Sequence, residues 1–370
     1  MNNAQNGQSA PRNQRPAVRI REVLCDEIIR DIYPQGARLP IQSELAERFG
    51  VNGVTIQRVI RRLADEGFIQ TARRGGTVVT LAPPHHYHYA LIFPSSREYS
   101  AISRFNTTLL QVALNIQAED GRIRFSPFYG LMEQAQASDY RQLLSRIADR
   151  RLAGLIFASN PQGLEQTPLV AQIGVPRVAL MSAMGDAQLP AIWFDYKSFL
   201  DRALDYLKAR GRRRIAVLMF PRGWQELEDY AERGLVDRGM KMEPCWILHF
   251  NVNDADAAVD TTRLLMHKHG PDSPDGLIIM DDNLADHALR GLVAAGVRVP
   301  EEVDVVIHAN YPCTGPAVLP VKRLGFDLDE TLRLCVSDLV RQRQSESVAP
   351  FTAMPARFEE ELPLSSSCFR

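Results

Sequence analysis

From residue 89 onward, short apolar runs alternate with amphipathic stretches for almost the whole length of this 370-residue chain. Residues 89–93, 154–158, 176–181, 191–194, 215–220, 276–280 and 303–307 are predicted strands. Residues 104–118, 139–150, 197–210, 225–238, 256–267, 283–295 and 329–343 carry apolar positions at helical spacing and are predicted helices. An apolar strand followed by an amphipathic helix, repeated, is the pattern of parallel strands joined by helical crossovers. Residues 89–365 are long enough for two such subdomains, so the expected body is an α/β fold of two doubly wound parallel-sheet lobes.

The first 82 residues follow a different rule. Residues 1–16 are polar and read as a disordered tail. Ile20, Val23, Leu24, Ile28 and Ile32 then recur at helical spacing until Tyr33-Pro34-Gln35-Gly36 stops the helix. A short helix over 43–49 ends at Gly50. A third runs from after Asn52 to about Glu66, with Ile56, Val59, Ile60 and Leu63 on its apolar face. Two β-type runs, 68–72 and 77–81, flank Arg73-Arg74-Gly75-Gly76. Three helices and a glycine-tipped hairpin within 17–82 describe an α+β winged helix-turn-helix domain. Residues 83–88 read as a linker before the body.

Charge separates the two parts. The chain holds 43 basic and 44 acidic side chains, a formal net charge of −1. Residues 1–82 carry 12 Arg, no Lys and 8 acids, for +4, which leaves −5 on the remainder. A basic head on an acidic body suits a protein that offers only its head to a polyanion. Other classes are excluded or unsupported. No apolar run approaches the roughly 18 residues of a membrane span, and the polar N-terminus has no secretory h-region. We therefore expect a cytoplasmic protein without a membrane partner. Cys25, Cys245, Cys313, Cys335 and Cys368 are scattered and read as reduced thiols rather than a zinc site. No Walker A, GxGxxG, GxSxG or HExxH sequence occurs. Without a local catalytic signature, the chain is expected to be no enzyme and to use no cofactor or metal.

In a helix-turn-helix, one helix enters the DNA major groove with its first residues at base edges. Here that helix offers Gly53, Thr55, Gln57, Arg58, Arg61 and Arg62 away from its apolar face, with Asn52 at its start. Gln57 can pair with adenine and Arg58 with guanine or phosphate, while Arg61 and Arg62 suit phosphate. Arg73, Arg74, Gly75 and Gly76 would form the wing tip, where arginine fits a narrow minor groove. Asn52 reads more simply as an N-cap than as a base reader.

The stretch Leu39–Val79 resembles the GntR-type winged helix-turn-helix. Leu39-Pro40, Ser43-Glu44-Leu45-Ala46, Gly50-Val51, Thr55, Leu63, Glu66-Gly67 and Gly76-Thr77-Val78 carry the resemblance. Gly53 and Gln57 stand where that family usually has contacting arginines, and Ile41-Gln42 replaces its usual Ser-Glu. The family's usual operator preference is therefore not carried over.

The body is similar to the LacI/GalR-type effector domain, itself related to periplasmic sugar-binding proteins. The resemblance lies in Tyr89–Pro94, Val175–Val178 with Ile192–Asp195, and Tyr206-Leu207 with Gly211–Val217. It continues in Gly276–Asp282, Gly296–Val306 and Val321–Phe326. It implies a cleft between two lobes that holds a small ligand, expected to be a sugar. The same resemblance assigns Asp281 and Asp282, Asn310, and Phe326 with Asp327 to that cleft. Ser95 and Tyr99 follow the first strand and could line it. The family's ligand-binding arginine has no counterpart, and Arg222 or Trp224 could substitute. Asp282 with Asn283 reads equally as a helix N-cap. His85, His86 and His88 read as part of a polar linker rather than a metal site, and the family's hinge helix is absent.

These readings converge on a homodimeric, sequence-specific DNA-binding regulator, expected to be a repressor, whose operator affinity responds to a small effector. The alternatives are a sugar-binding protein without a DNA role and an enzyme on the doubly wound body. Fold alone does not separate them.

Overall fold

The structure is a computed structural model and describes residues 16–72, 76–131, 138–161, 163–171, 174–181, 189–221, 224–241, 243–250, 255–267 and 273–362. It has a winged helix-turn-helix head and a body of two parallel-sheet lobes.

In the head, α1 (Pro16–Ile29), α2 (Gln42–Phe49) and α3 (Gly53–Asp65) precede a hairpin. The hairpin pairs β1 (Ile69–Ala72) antiparallel with β2 (Gly76–Val79), Ile69 opposite Val79. Ile20, Leu24, Ile28, Leu45, Ile56, Val59, Leu63 and Phe68 close one core. Gly50 sits at φ +62, where an L side chain would be strained, and this left-handed residue turns the chain from α2 into α3.

Residues 83–88 are not a solvated linker. Pro84–Tyr87 forms one helical turn, α4, with Pro84 and His85 buried, and His88 already opens the first body strand. The reason is packing: the His85 ring stacks on Phe68 at 5.7 Å, and Arg343 donates to the carbonyls of His85 and His86.

Lobe 1 then follows. Its elements are β3 (His88–Ile92), α5 (Arg97–Ile102), α6 (Arg104–Glu119), β4 (Arg124–Phe128), α7 (Ser138–Ala148), β5 (Gly154–Phe157), α8 (Pro168–Ala171), β6 (Arg177–Met181) and β7 (Ala191–Asp195). The chain crosses through α9 (Tyr196–Ala209) into lobe 2. There it forms β8 (Ile215–Met219), α10 (Gln225–Asp237), β9 (Ile247–His249), α11 (Ala255–Met266), β10 (Gly276–Ile279), α12 (Asp282–Ala294), β11 (Asp304–Tyr311) and β12 (Lys322–Asp327). It returns through α13 (Leu328–Arg343) to add β13 (Phe351–Pro355) to lobe 1, and ends with β14 (Arg357–Phe358) in lobe 2. The sheet orders are β4-β3-β5-β6-β7-β13 and β9-β8-β10-β11-β12-β14, parallel throughout except for β14.

The first two crossovers are built alike. Asp195 ends β7 and caps α9, accepting from the N–H groups of Lys197 and Ser198; Asp327 ends β12 and caps α13, accepting from Asp329 and Glu330. Ser198 Oγ also accepts from Ala356 N at 3.0 Å, which ties the third crossover to the first. Gly325 on β12 lies against Ala309 on β11 so closely that a Cβ would meet the Ala309 carbonyl oxygen at 1.8 Å. This close approach seats the neighbouring Asn310 strand beneath the cleft.

Among the described residues, no helix is long and apolar enough to cross a membrane. The expectation of five reduced thiols fails for Cys313. It is disulfide-bonded, whereas Cys25, Cys245 and Cys335 are free. Spacing along a chain cannot reveal a pairing that the fold creates.

Candidate functional site

On the head, α3 begins with Asn52. Its side chain accepts from the Thr55 N–H at 2.9 Å and the Thr55 hydroxyl at 2.8 Å. The side-chain oxygen of Asn52 is thus occupied in capping the helix, the simpler of its two roles. Gly53 lies beneath Gln42, whose amide donates to the Gly53 carbonyl at 2.6 Å; a Cβ there would press on that amide at 3.2 Å. Gln57, Arg58 and Arg61 are exposed, and neither arginine is ion-paired among the described residues. Val54 and Ile41 are also exposed beside them, 64% and 62%.

Arg62 is the exception on this face. It pairs with Glu66 at 2.8 Å and reaches Asp149 of lobe 1 at 3.6 Å, so it faces the body and not the outer surface of the head. Gly76 is exposed at the start of β2, while Arg73, Arg74 and Gly75 lie outside the described residues.

Between the lobes lies a cavity of about 250 Å³. Its lobe 1 wall includes Phe105, Ser159, Met181 and Phe194; its lobe 2 wall includes Phe220, Trp224, Asn283 and Asn310. Tyr196, at the first crossover, lies between them. Ser159, Met181, Tyr196, Phe220 and Asp281 all stand at or just beyond the carboxyl ends of parallel strands, where doubly wound sheets form their ligand crevices.

The polar floor is acidic. Asp281 Oδ1 accepts from Asn283 N at 2.9 Å and from its side-chain amide at 2.6 Å; Asp282 Oδ2 accepts from Asn310 Nδ2 at 2.8 Å. Burial raises both carboxyls. Asp282 reaches about 6 despite the Asn310 hydrogen bond and the charge of Arg104, and Asp281 is pushed up further by Asp282 beside it. His308 on β11 also lines the cavity, is 4% exposed, and has no hydrogen-bond partner for either ring nitrogen among the described residues. Burial lowers it to about 4, so it is neutral near pH 7. At one edge the lobes touch: Asn283 Oδ1 accepts from Arg104 N at 2.8 Å, and Arg104 pairs with Asp286 at 2.5 Å.

Of the expected cleft residues, the fold brings Trp224, Asp281, Asp282 and Asn310 to the cavity. Phe326 does not line it. That ring is buried behind it, packed on Phe194, Tyr196 and His308. Asp327 is the N-cap of α13, and Ser95 and Tyr99 lie away from the cavity. Arg222 lies outside the described residues. Reading the sequence missed Phe105, Tyr196, Phe220 and His308. The signal for Tyr196 and Phe220 was their place at strand ends; His308, inside a fully buried strand, gives none.

The sequence profile of bacterial regulatory proteins of the gntR family matches residues 16–79, and that of a periplasmic binding protein-like domain matches residues 204–354. An uncharacterized HTH-type transcriptional regulator of Mycobacterium tuberculosis is 36% identical over 69 residues, 19% of this chain and 28% of that protein. The chain therefore spans little more than a quarter of the length of relatives matched in this way. The HTH-type transcriptional regulator GntR of Pseudomonas aeruginosa is 22% identical over 304 residues, 76% of this chain and 84% of that one. Among solved structures, a LacI family transcriptional regulator from Lactobacillus casei with bound glucose has the same body fold. Its TM-score is 0.54 at 16% identity, covering 74% of this chain and 98% of that one.

Proposed function

Because a GntR-type winged helix-turn-helix head is here joined to a periplasmic-binding-protein-like body of the LacI/GalR type, we propose that the protein is a DNA-binding transcription regulator. In this reading it is a homodimeric repressor, and a small ligand in the inter-lobe cavity, of the sugar class, sets its operator affinity. The observation that carries the reading is the outer face of α3, where Gln57, Arg58 and Arg61 stand exposed on a basic head. Gln57 and Arg58 reach base edges, Arg61 reaches phosphate, and Val54 offers an apolar contact to a thymine methyl. Support for the sugar comes from the aromatic-walled cavity and from the related body fold with glucose bound.

The mechanism follows from linkage. A ligand shifts an equilibrium only by its differential affinity for the two states. Here lobe closure supplies those states. The head is docked on lobe 1, so movement of lobe 2 re-spaces the two heads of a dimer that must reach two half-sites at once.

The test is binding of the full chain to DNA upstream of its own gene, across a salt series and with a monosaccharide panel. Specific binding with a steep salt slope, altered by a sugar, is the expected outcome. Arg58→Ala should weaken the specific site by about 1–3 kcal/mol, whereas Arg62→Ala should leave DNA affinity nearly unchanged. Equal loss from both would mean that the head binds DNA through a different face.

A further inference from the structure

We propose that the ligand of the inter-lobe cavity is a cation: an amino sugar whose protonated amine sits between the Asp281–Asp282 pair and the rings of Tyr196, Phe220 and Trp224. This rests on the effector-cleft reading above and narrows it to one ligand charge.

The first argument is a charge inventory. The described residues lining the cavity include two carboxylates and no lysine or arginine. Two adjacent buried carboxylates repel each other and lose hydration, an arrangement that is costly unless a positive charge joins them. Among the described residues, Arg104 stands on the far side of Asp282, where it lines a separate smaller space and is committed to Asp286 at 2.5 Å. His308 is too deeply buried to carry charge near neutrality. Among the described residues no positive charge balances the pair, and in this proposal the ligand supplies it.

The second argument is the wall. Tyr196 and Phe220 have ring centroids 5.1 Å apart, Phe220 and Trp224 5.0 Å, and Tyr196 and Trp224 6.2 Å. Three mutually packed rings beside two carboxylates attract an ammonium group both by the ring quadrupoles and by the opposite charge.

The third argument is polarity beyond the charge. His308 is buried at the cavity with both nitrogens unpartnered, so it can give one hydrogen bond and accept another. Ser159 and the Asn310 amide add further donors and acceptors. Such a mixed set fits ring hydroxyls rather than an alkyl amine. A cavity of about 250 Å³ displaces about eight waters, which suits one sugar ring. A sugar acid would set a third carboxylate against the first two.

The test is calorimetric titration of the full chain with matched probes: glucosamine, galactosamine and mannosamine, their parent hexoses, and glucuronate. At least one hexosamine should bind ten-fold or more tightly than its parent hexose, and glucuronate should not bind. Asp281→Asn keeps a good helix cap and should remove this preference, bringing amine and hexose within about two-fold. Asp282→Asn provides the same readout should the first variant fail to fold. A parent hexose binding as tightly as its amine, or glucuronate binding at all, would overturn the cationic ligand while leaving the effector cleft in place. So would an undiminished amine preference in both variants. If no probe of any charge binds, the sugar effector reading falls together with the inference.

Discussion

Two places in this molecule bury several ionisable groups together, and they treat charge in opposite ways. Where the head meets lobe 1, Arg21 is 4% exposed and bonds Glu66 at 2.7 Å, while also donating to the Asp149 carbonyl at 2.8 Å. Arg62 takes the second oxygen of Glu66 and approaches Asp149, and Arg150 of lobe 1 reaches back to Asp26 of α1 at 2.7 Å. Arg21 and Arg62 balance Glu66 and Asp149, and Arg150 with Asp26 adds a third opposite-charge pair across the junction. In the cleft, Asp281 and Asp282 face uncharged rings, amides and a neutral histidine. The junction is complete in itself and holds the head in place. In the proposed reading, the cleft is completed by the charge of its ligand. Burial alone therefore does not mark a binding site; unbalanced burial does.

The largest expected effect is at the junction. Arg21→Ala leaves Glu66 buried with half of its partners and should destabilise the protein by about 3–5 kcal/mol, read by urea denaturation at pH 7. A loss below about 1 kcal/mol would mean that Arg62 alone balances Glu66, and the contrast with the cleft would weaken.

The cleft should respond with the opposite sign. Asp282 has a folded pKa raised by burial from 3.8 to about 6. The folded state therefore holds that proton more tightly than the unfolded chain does. The associated stability is full below about pH 3.8 and is lost as pH rises through 6. At pH 7 the ionised group costs about 2–3 kcal/mol at most. Asp282→Asn should accordingly stabilise the ligand-free protein by about 2 kcal/mol at pH 7 and by nothing measurable near pH 4. Destabilisation at pH 7 would show that Asp282 already has its balancing charge within the chain.

How much of this was readable beforehand depends on where each element lies in its sheet. The seven predicted strands appear at their places because each is apolar on both faces, as central parallel strands must be. The overlooked β4, β9, β13 and β14 are edge strands, and the overlooked β12 lies beside one. Arg124, Ser126 and Pro127 in β4 face partly outward, and Ile247–His249 is half-buried throughout, so neither gives an apolar run. The same logic explains the site. Asp281, Asp282 and Asn310 were reachable because a resemblance gave them positions, whereas Trp224 entered only as a substitute for an unmatched arginine. Phe105, Tyr196 and Phe220 looked like ordinary core aromatics, since only three-dimensional closure separates a ring that lines a cavity from one that fills it. Phe326 illustrates the reverse error. The junction was hidden for another reason: Arg62 and Glu66 are spaced i, i+4 and look like a surface pair until Arg21 and Asp149 arrive from distant segments.

His85 offers the finest test of the contrast, because it is a buried group at the junction whose charge can be switched on by acid. Its ring lies nearly parallel to Phe68, at 18°, and its Nδ1 has no partner. Burial, with small additions from His86 and Arg343, lowers its pKa from 6.5 to about 3. The neutral form is therefore the one that fits. Its stability is fully present above pH 6.5 and is lost as pH falls from there toward 3, the reverse of the Asp282 dependence. At pH 5 the loss from this one residue is about 2 kcal/mol. His88, lowered to about 4 by burial and by Arg146, acts in the same direction and will sustain part of the acid sensitivity. His85→Phe keeps an aromatic ring against Phe68 and removes the titrating nitrogen. It should match the parent protein at pH 8 and exceed it by about 2 kcal/mol at pH 5, with the difference appearing as protection of α4 and the start of β3 in hydrogen exchange. If parent and variant lose stability equally on acidification, the junction is held by its ion pairs alone, and the stacked imidazole is a filler of space rather than a proton-sensitive contact.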